Sequence, residues 1–256
     1  MVSISAILPF SRKESQMKKT FLSILAFAAL FIGLQAVSAI AAEDAPKERK
    51  VWTLEGKTLD DFDCWLMDNG KKEDVFRIED GILKVSGTPF GWLSPKDEEF
   101  RNFILTADVR YPTDNDKANS GFFLRIVETP DRPEPLFLPP CIECQLQTKN
   151  IGHLFGFHGH TLIGAEDRYS YRARIEKDGK FIPELHKLMN FQDAQKPGTE
   201  EWNRVVVICY EDAVSVFVNE KPVNWACRVS NVAGKIGFQS EGGEIWFRNV
   251  KIGELD

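Results

Sequence analysis

From Val75 onward, apolar and polar residues alternate in short runs with a period of two. Val75-Phe76-Arg77-Ile78 and Ile82-Leu83-Lys84-Val85 flank Glu79-Asp80-Gly81, which predicts a hairpin with Asp-Gly at its turn. Over 103–109, Phe103, Leu105, Ala107 and Val109 stand against Ile104, Thr106 and Asp108, so one face is apolar and the other mixed. Further strands are expected at 121–127, 142–147, 203–210, 214–218, 235–239 and 244–252, with a turn at Asn219-Glu220-Lys221-Pro222. The runs at 205–208 and 214–218 are rich in β-branched residues, as strands prefer. One short helix is expected at 183–189. The Pro-rich piece from Thr129 to Pro140 reads as a loop between two strands. Many short strands with turns between them, and no internal repeat or linker, point to an all-β sandwich or barrel.

The N-terminus follows a different pattern. Lys18 and Lys19 precede an apolar run over 21–34, broken only by Ser23 and Gly33, and small residues follow from Ala36 to Ala42. That order describes a secretory signal peptide cleaved after Ala39 or Ala41. The run is shorter than the roughly 20 residues a membrane span needs. Met17 then reads as the start, with 1–16 an over-long reading of the gene. The expected organisation is a leader over 1–41 and a single β-sandwich domain over 42–256, exported to the periplasm or beyond. Removing the leader leaves 215 residues, a length that suits one large all-β domain.

Charge narrows the partners. The leader holds four basic residues and one acidic, which leaves 28 basic against 37 acidic and a net charge of −9. Such a chain has no electrostatic footprint for nucleic acid or anionic membranes. Five cysteines follow the leader: Cys64, Cys141, Cys144, Cys209 and Cys227. An odd count leaves at least one thiol unpaired, and a chain of this length needs no staples. They read as mostly buried small apolar residues, with room for one bridge.

An ordered set of short pieces runs along the domain. It comprises Trp65, Phe76 to Leu83, Gly91-Trp92-Leu93, Phe100 to Leu105, and Asn119-Ser120-Gly121-Phe122-Phe123-Leu124-Arg125. It continues with Ile142-Glu143-Cys144-Gln145-Leu146, Glu201-Trp202-Asn203, Gly237-Phe238-Gln239 and Ile245 to Val250. In order and spacing this set resembles the 3-keto-disaccharide hydrolase family. The resemblance implies a concanavalin A-like lectin/glucanase fold, a two-sheet antiparallel jelly-roll sandwich with a concave ligand face. It also implies an exported bacterial protein acting on glycosides oxidised at the third carbon of the sugar, as a hydrolase or lyase with no cofactor. Two departures stand out. The family commonly has a His close after the Gln of the penultimate strand, where this chain has Gln239-Ser240-Glu241-Gly242-Gly243. Cys144 fills a slot usually held by a branched apolar residue.

Glu143, Gln145 and Gln147 share one strand face, opposite Ile142, Cys144 and Leu146. Three polar residues on one face are costly unless that face is wet. The functional reading is a carboxylate acid or base with amides that bind sugar hydroxyls; the bland one is an ordinary solvent-exposed strand face. Arg125, among apolar residues, either pairs with Glu143 or extends to water. Trp92 is a candidate stacking platform for a sugar ring, or core. His153, His158 and His160 cluster after Glu143. Their spacing fits no structural zinc pattern, so no metal is expected, and His158 is the candidate proton shuttle.

A ketone at the third carbon acidifies the hydrogen on the second, so one base, Glu143 or His158, could start an elimination that water later completes. Arg125, Gln145 and Gln239 are candidate donors to the enolate oxygen. Direct hydrolysis needs two carboxylates, and Glu241 is the second candidate. A non-catalytic carbohydrate-binding module on the same fold, or a surface interaction domain, would share these residues without turnover.

Overall fold

Strand alternation places Phe103, Leu105, Ala107 and Val109 on one side of Phe103–Arg110, and in the computed structural model of the protein all four are fully buried. The structure describes residues 50–113, 118–129, 135–175 and 181–256; the leader expected over 1–41 lies outside them.

The described strands, in chain order, are β1 (Val51–Thr53), β2 (Phe62–Leu66), β3 (Phe76–Glu79), β4 (Ile82–Val85), β5 (Gly91–Pro95), β6 (Phe103–Arg110), β7 (Gly121–Ile126) and β8 (Cys141–Gln145). They continue with β9 (Leu154–Phe157), β10 (Tyr169–Ile175), β11 (Phe181–Leu188), β12 (Asn203–Tyr210), β13 (Ala213–Val218), β14 (Lys221–Cys227), β15 (Lys235–Ser240) and β16 (Ile245–Glu254). A single helical turn, Lys72–Val75, precedes β3. The first sheet runs β14-β13-β12-β6-β16-β4-β3, with β1 also on β16; the second runs β10-β11-β9-β8-β7-β15-β5-β2. Each described pairing between strands is antiparallel.

The sheets meet through their apolar faces. Leu105, Val207, Val216 and Phe247 from the first pack in one core with Phe122, Leu124, Ile142, Cys144 and Phe238 from the second. The Phe122 ring lies 5.9 Å from Phe238 and 5.6 Å from Phe247. Each such side chain contributes roughly 1.5–3 kcal/mol by leaving water. The protein is the two-sheet antiparallel jelly-roll sandwich that the resemblance implied.

Two local expectations are corrected. Residues 183–189, read as a short helix, lie mostly in β11, which pairs with both β10 and β9. Periodicity over so short a stretch does not separate helix from strand. All five cysteines are free: Cys141, Cys144 and Cys209 are buried and Cys64 and Cys227 exposed, so the bridge does not form. The Asp-Gly hairpin is present, with φ of 53° at Asp80 and 73° at Gly81, as a type I′ turn requires.

The sheets differ in one respect that positions the site. In β6, β12 and β13 buried and more exposed residues alternate, whereas β5, β7 and β8 are buried at every position. The centre of the second sheet is therefore covered on its outer face too. A second apolar cluster of Trp92, Phe123, Ile126, Cys141 and Phe157 sits there, with Trp65, Leu138 and Phe155 packed against it. Leu138 lies over this face, and Phe137 beside it packs on Phe90 at 5.2 Å; residues 130–134 of the Pro-rich piece lie outside the described residues.

Candidate functional site

Because Ile142 and Cys144 point into the core, Glu143 and Gln145 of β8 project from the outer face. Glu143 stands opposite Phe123 of β7 and Phe155 of β9, and Gln145 opposite Gly121. Gln239 of β15 faces Trp92 of β5, which in turn faces Trp65 of β2. A row of polar groups thus crosses an aromatic platform. Glu143 is only 3% exposed, Gln145 8% and Gln239 0%. This is not an ordinary solvent-exposed strand face, since buried polar groups are costly without partners.

Gly121 makes the arrangement possible. A side-chain carbon there would stand 2.5 Å from Glu143 Oε1 and 3.0 Å from Gln239 Oε1, so both side chains lean over the bare backbone. One strand position beyond the end of β15, Glu241 accepts a 2.7 Å hydrogen bond from Asn119 Nδ2, and the Asn119 backbone N–H donates to Gly242 O at 2.6 Å. Four buried acceptor oxygens around Gly121 have no hydrogen-bond partner in the protein: Asn119 Oδ1, Glu143 Oε1, Gln145 Oε1 and Gln239 Oε1. Such a concentration of unsatisfied acceptors is expected where a donor-rich ligand completes the network.

Burial, reinforced by the nearby charge of Glu241, holds the Glu143 carboxyl well above the usual range and so favours its protonated form. Burial also pushes Glu241 up to about 7, although the Asn119 amide that donates to it and the nearby Gln239 amide favour its charged form. Burial thus favours the protonated form of both carboxyls, with Glu143 the more deeply buried of the two. Environments that push two carboxyls apart in this way separate acid from base roles.

Several sequence expectations change here. Arg125 does not pair with Glu143. It sits at a bulge in β7 with φ of 56°, fully buried, and donates through Nε and Nη2 to Arg101 O and through Nη1 to Ser230 O. Its donors tie loops together rather than reach a substrate. Trp92 is 1% exposed, with Trp65 stacked on it at 5.0 Å and Phe123 edge-on at 6.0 Å, so no sugar can lie on its face. Trp65 is the more exposed member of that stack. Gln147 remains at the margin, where its Oε1 accepts from Asn150 Nδ2.

His158 is placed away from Glu143. Glu143 pairs with Phe155, and His158 lies three residues further along, about 10 Å of strand, in a turn where its φ is 52°. The nearer histidine is His153, whose backbone carbonyl accepts from Gln145 N at 2.9 Å. Burial first, then Lys187, lowers it to about 4 against a hydrogen bond to Asn190, which keeps the ring neutral. No group of three or more His, Cys, Asp or Glu side chains disposed to hold a metal ion occurs among the described residues.

Sequence reasoning had passed over Asn119, and the available clue was its position two residues before Gly121, on the same strand face. Together these groups offer a carboxyl whose protonated form burial favours, a second carboxyl titrating near neutrality, amide donors and an aromatic edge. That set suits proton transfer on a neutral, hydroxyl-rich ligand.

Comparison with known proteins agrees with the architecture. A protein of Parabacteroides distasonis ATCC 8503 assigned to the glycosyl hydrolases superposes with a TM-score of 0.52 at 21% identity, covering 80% of this chain and all of the other. A second protein from the same organism, similarly assigned, gives 0.52 at 18% identity over 79% of this chain and 92% of its own. These likenesses bear on the fold alone. No curated protein matches the chain. Residues 51–253, nearly the whole described sandwich, match one family along their length, and the chain belongs to the 3-keto-alpha-glucoside-1,2-lyase-like domain family.

Proposed function

We propose that the protein is an exported enzyme that cleaves 3-keto-glycosides at the outer face of the second sheet, by elimination followed by hydration. The observation that carries this reading is the Glu143–Glu241 pair, one carboxyl whose protonated form burial favours and the other titrating near neutral pH beside it. Family membership supports the substrate class.

Glu241 takes the hydrogen on the sugar's second carbon as a proton. The released electron pair moves toward the ketone at the third carbon, and the enolate oxygen accepts hydrogen bonds from the Gln145 and Gln239 amides. The pair returns to form a double bond between the first and second carbons. The glycosidic bond breaks, and the departing oxygen takes the Glu143 proton. The products are an unsaturated 3-keto sugar and the free alcohol or second sugar. Water adding across the double bond completes net hydrolysis, and proton transfer from Glu241 to Glu143 resets the pair. General acid–base catalysis of this kind contributes about 10²–10⁴-fold. Glu143, expected from sequence as one of two candidate bases, here gives up a proton instead, because the more deeply buried carboxyl is the one whose protonated form burial favours most.

The test is Glu143→Gln assayed on a 3-keto-glucoside. Turnover is expected to fall by about 10²–10⁴-fold while calorimetry still detects sugar binding. Unchanged turnover would remove Glu143 from the chemistry. Sugar binding without any turnover by the native protein would instead identify a binding module.

A further inference from the structure

At the opposite end of β7, β8 and β9 from Glu241 lies a surface depression of about 460 Å³, lined by Val127, Thr129, Pro140, His158, Gly159, His160, Ser230 and Val232. Its position follows from the register: Cys141, the first residue of β8, pairs with Phe157, and the turn 157–160 follows directly. Val127 and Val232 are 36% and 38% exposed and, with Pro140, give it an apolar wall. His160 is only 6% exposed, yet its Nδ1 has no hydrogen-bond partner.

Beneath the depression is a buried cation. Arg125 is fully buried, and among the described residues its donors reach the Arg101 and Ser230 carbonyls. No described carboxylate pairs with it, although buried charges normally have a counter-charge. The Arg125 field is felt at His160, where burial first, then Arg125 and His158, lowers the ring to about 4. No described residue lining the depression is acidic, and Glu128 beside it pairs with Lys235.

From this combination of an apolar wall, a buried imidazole nitrogen without a partner and a guanidinium behind it that no described carboxylate pairs with, we infer that the depression binds a small organic carboxylate. The carboxylate faces His160 and the Ser230 hydroxyl, and the apolar part of the ligand lies on Val127 and Val232. A hexuronate and a short fatty acid both have this chemistry. The site is separate from the carboxylate pair and does not depend on the proposed reaction.

Calorimetric titration of the full chain with glucuronate, butyrate and glucose tests it. At least one carboxylate is expected to bind and glucose is not; the stronger of the two carboxylates identifies the source. His160→Phe is expected to weaken binding by at least about tenfold, the effect of losing one charged-group hydrogen bond. Val232→Trp, which fills the depression from its exposed rim, should do the same should His160→Phe fail to fold. Glu143→Gln should leave binding unchanged. No binding by either carboxylate, equal binding of glucose, or full binding by a folded His160→Phe protein would overturn the inference.

Discussion

Replacing Gly121 with alanine tests whether the bare backbone under Glu143 sets the geometry of the site. The added carbon would stand 2.5 Å from Glu143 Oε1, 2.8 Å from its Cγ and 3.0 Å from Gln239 Oε1. Non-bonded contacts settle at about 3.5–4.0 Å between carbons, so the Glu143 side chain must retreat by about 1 Å. Overpacking costs typically 1–3 kcal/mol, and exchanging glycine for alanine within a strand returns about 0.5–1 kcal/mol. The net loss is then about 2 kcal/mol or less, equivalent to about 8 °C or less in Tm for a domain of this size. A 1 Å displacement of a catalytic group costs about 10²-fold in rate. Turnover of a 3-keto-glucoside and thermal unfolding, measured on the same preparation, should therefore diverge: a deep loss of kcat with a modest fall in Tm. A folded Gly121→Ala protein within about threefold of native turnover would refute the placement of Glu143 as the acid.

Three other outcomes are expected. The Glu241 carboxyl is raised from 4.5 to about 7, so the folded state holds a proton that the unfolded chain releases. Its contribution to stability is fully present below about 4.5 and is lost as pH rises through about 7, by at most about 3 kcal/mol and less after solvent screening. Urea midpoints of Glu241→Gln should then decline less than those of the native protein between pH 5 and pH 8, and parallel curves would contradict the burial of this carboxyl. Arg125→Leu strips the donors from Arg101 O and Ser230 O and should destabilise by about 2–5 kcal/mol with KM unchanged; a raised KM at native stability would return Arg125 to the substrate site. Thiol titration in denaturant without reductant should find all five cysteines, and reductant should not move Tm; a lower count would reveal a bridge.

The sandwich was legible because period-two alternation is a local property. The strand over 203–210 matches β12 in full, and the Asp80-Gly81 turn needed only two residues of chemistry. The face of Glu143 was equally legible, since alternation alone sets it opposite Ile142 and Cys144. What lay across that face was not. Pairing of Arg125 with Glu143 was reasonable for neighbouring strands, but the bulge at Arg125 redirects that side chain, and a bulge leaves no mark in a run such as Phe122-Phe123-Leu124-Arg125. Trp65 and Trp92 have equal claims in sequence, and only the register of β2 on β5 shows which covers the other. The choice among His153, His158 and His160 depended on where β9 ends, a boundary set by pairing with β8 rather than by composition.

The strand order also dictates when this molecule can become competent. In the second sheet β15 lies between β7 and β5, and in the first β16 lies between β6 and β4. Both sheets are thus closed at their centres by the last two strands. The contact between Asn119 and Glu241 spans 122 residues, so the pair cannot form by local folding. Until residues 235–254 have been synthesised, β7 and β5 present open edges of the kind that recruit other chains. Completion of the carboxylate pair and removal of those aggregation-prone edges are therefore one event, which waits for residues 235–254. A chain shortened before β15 would lose its chemistry and its solubility together.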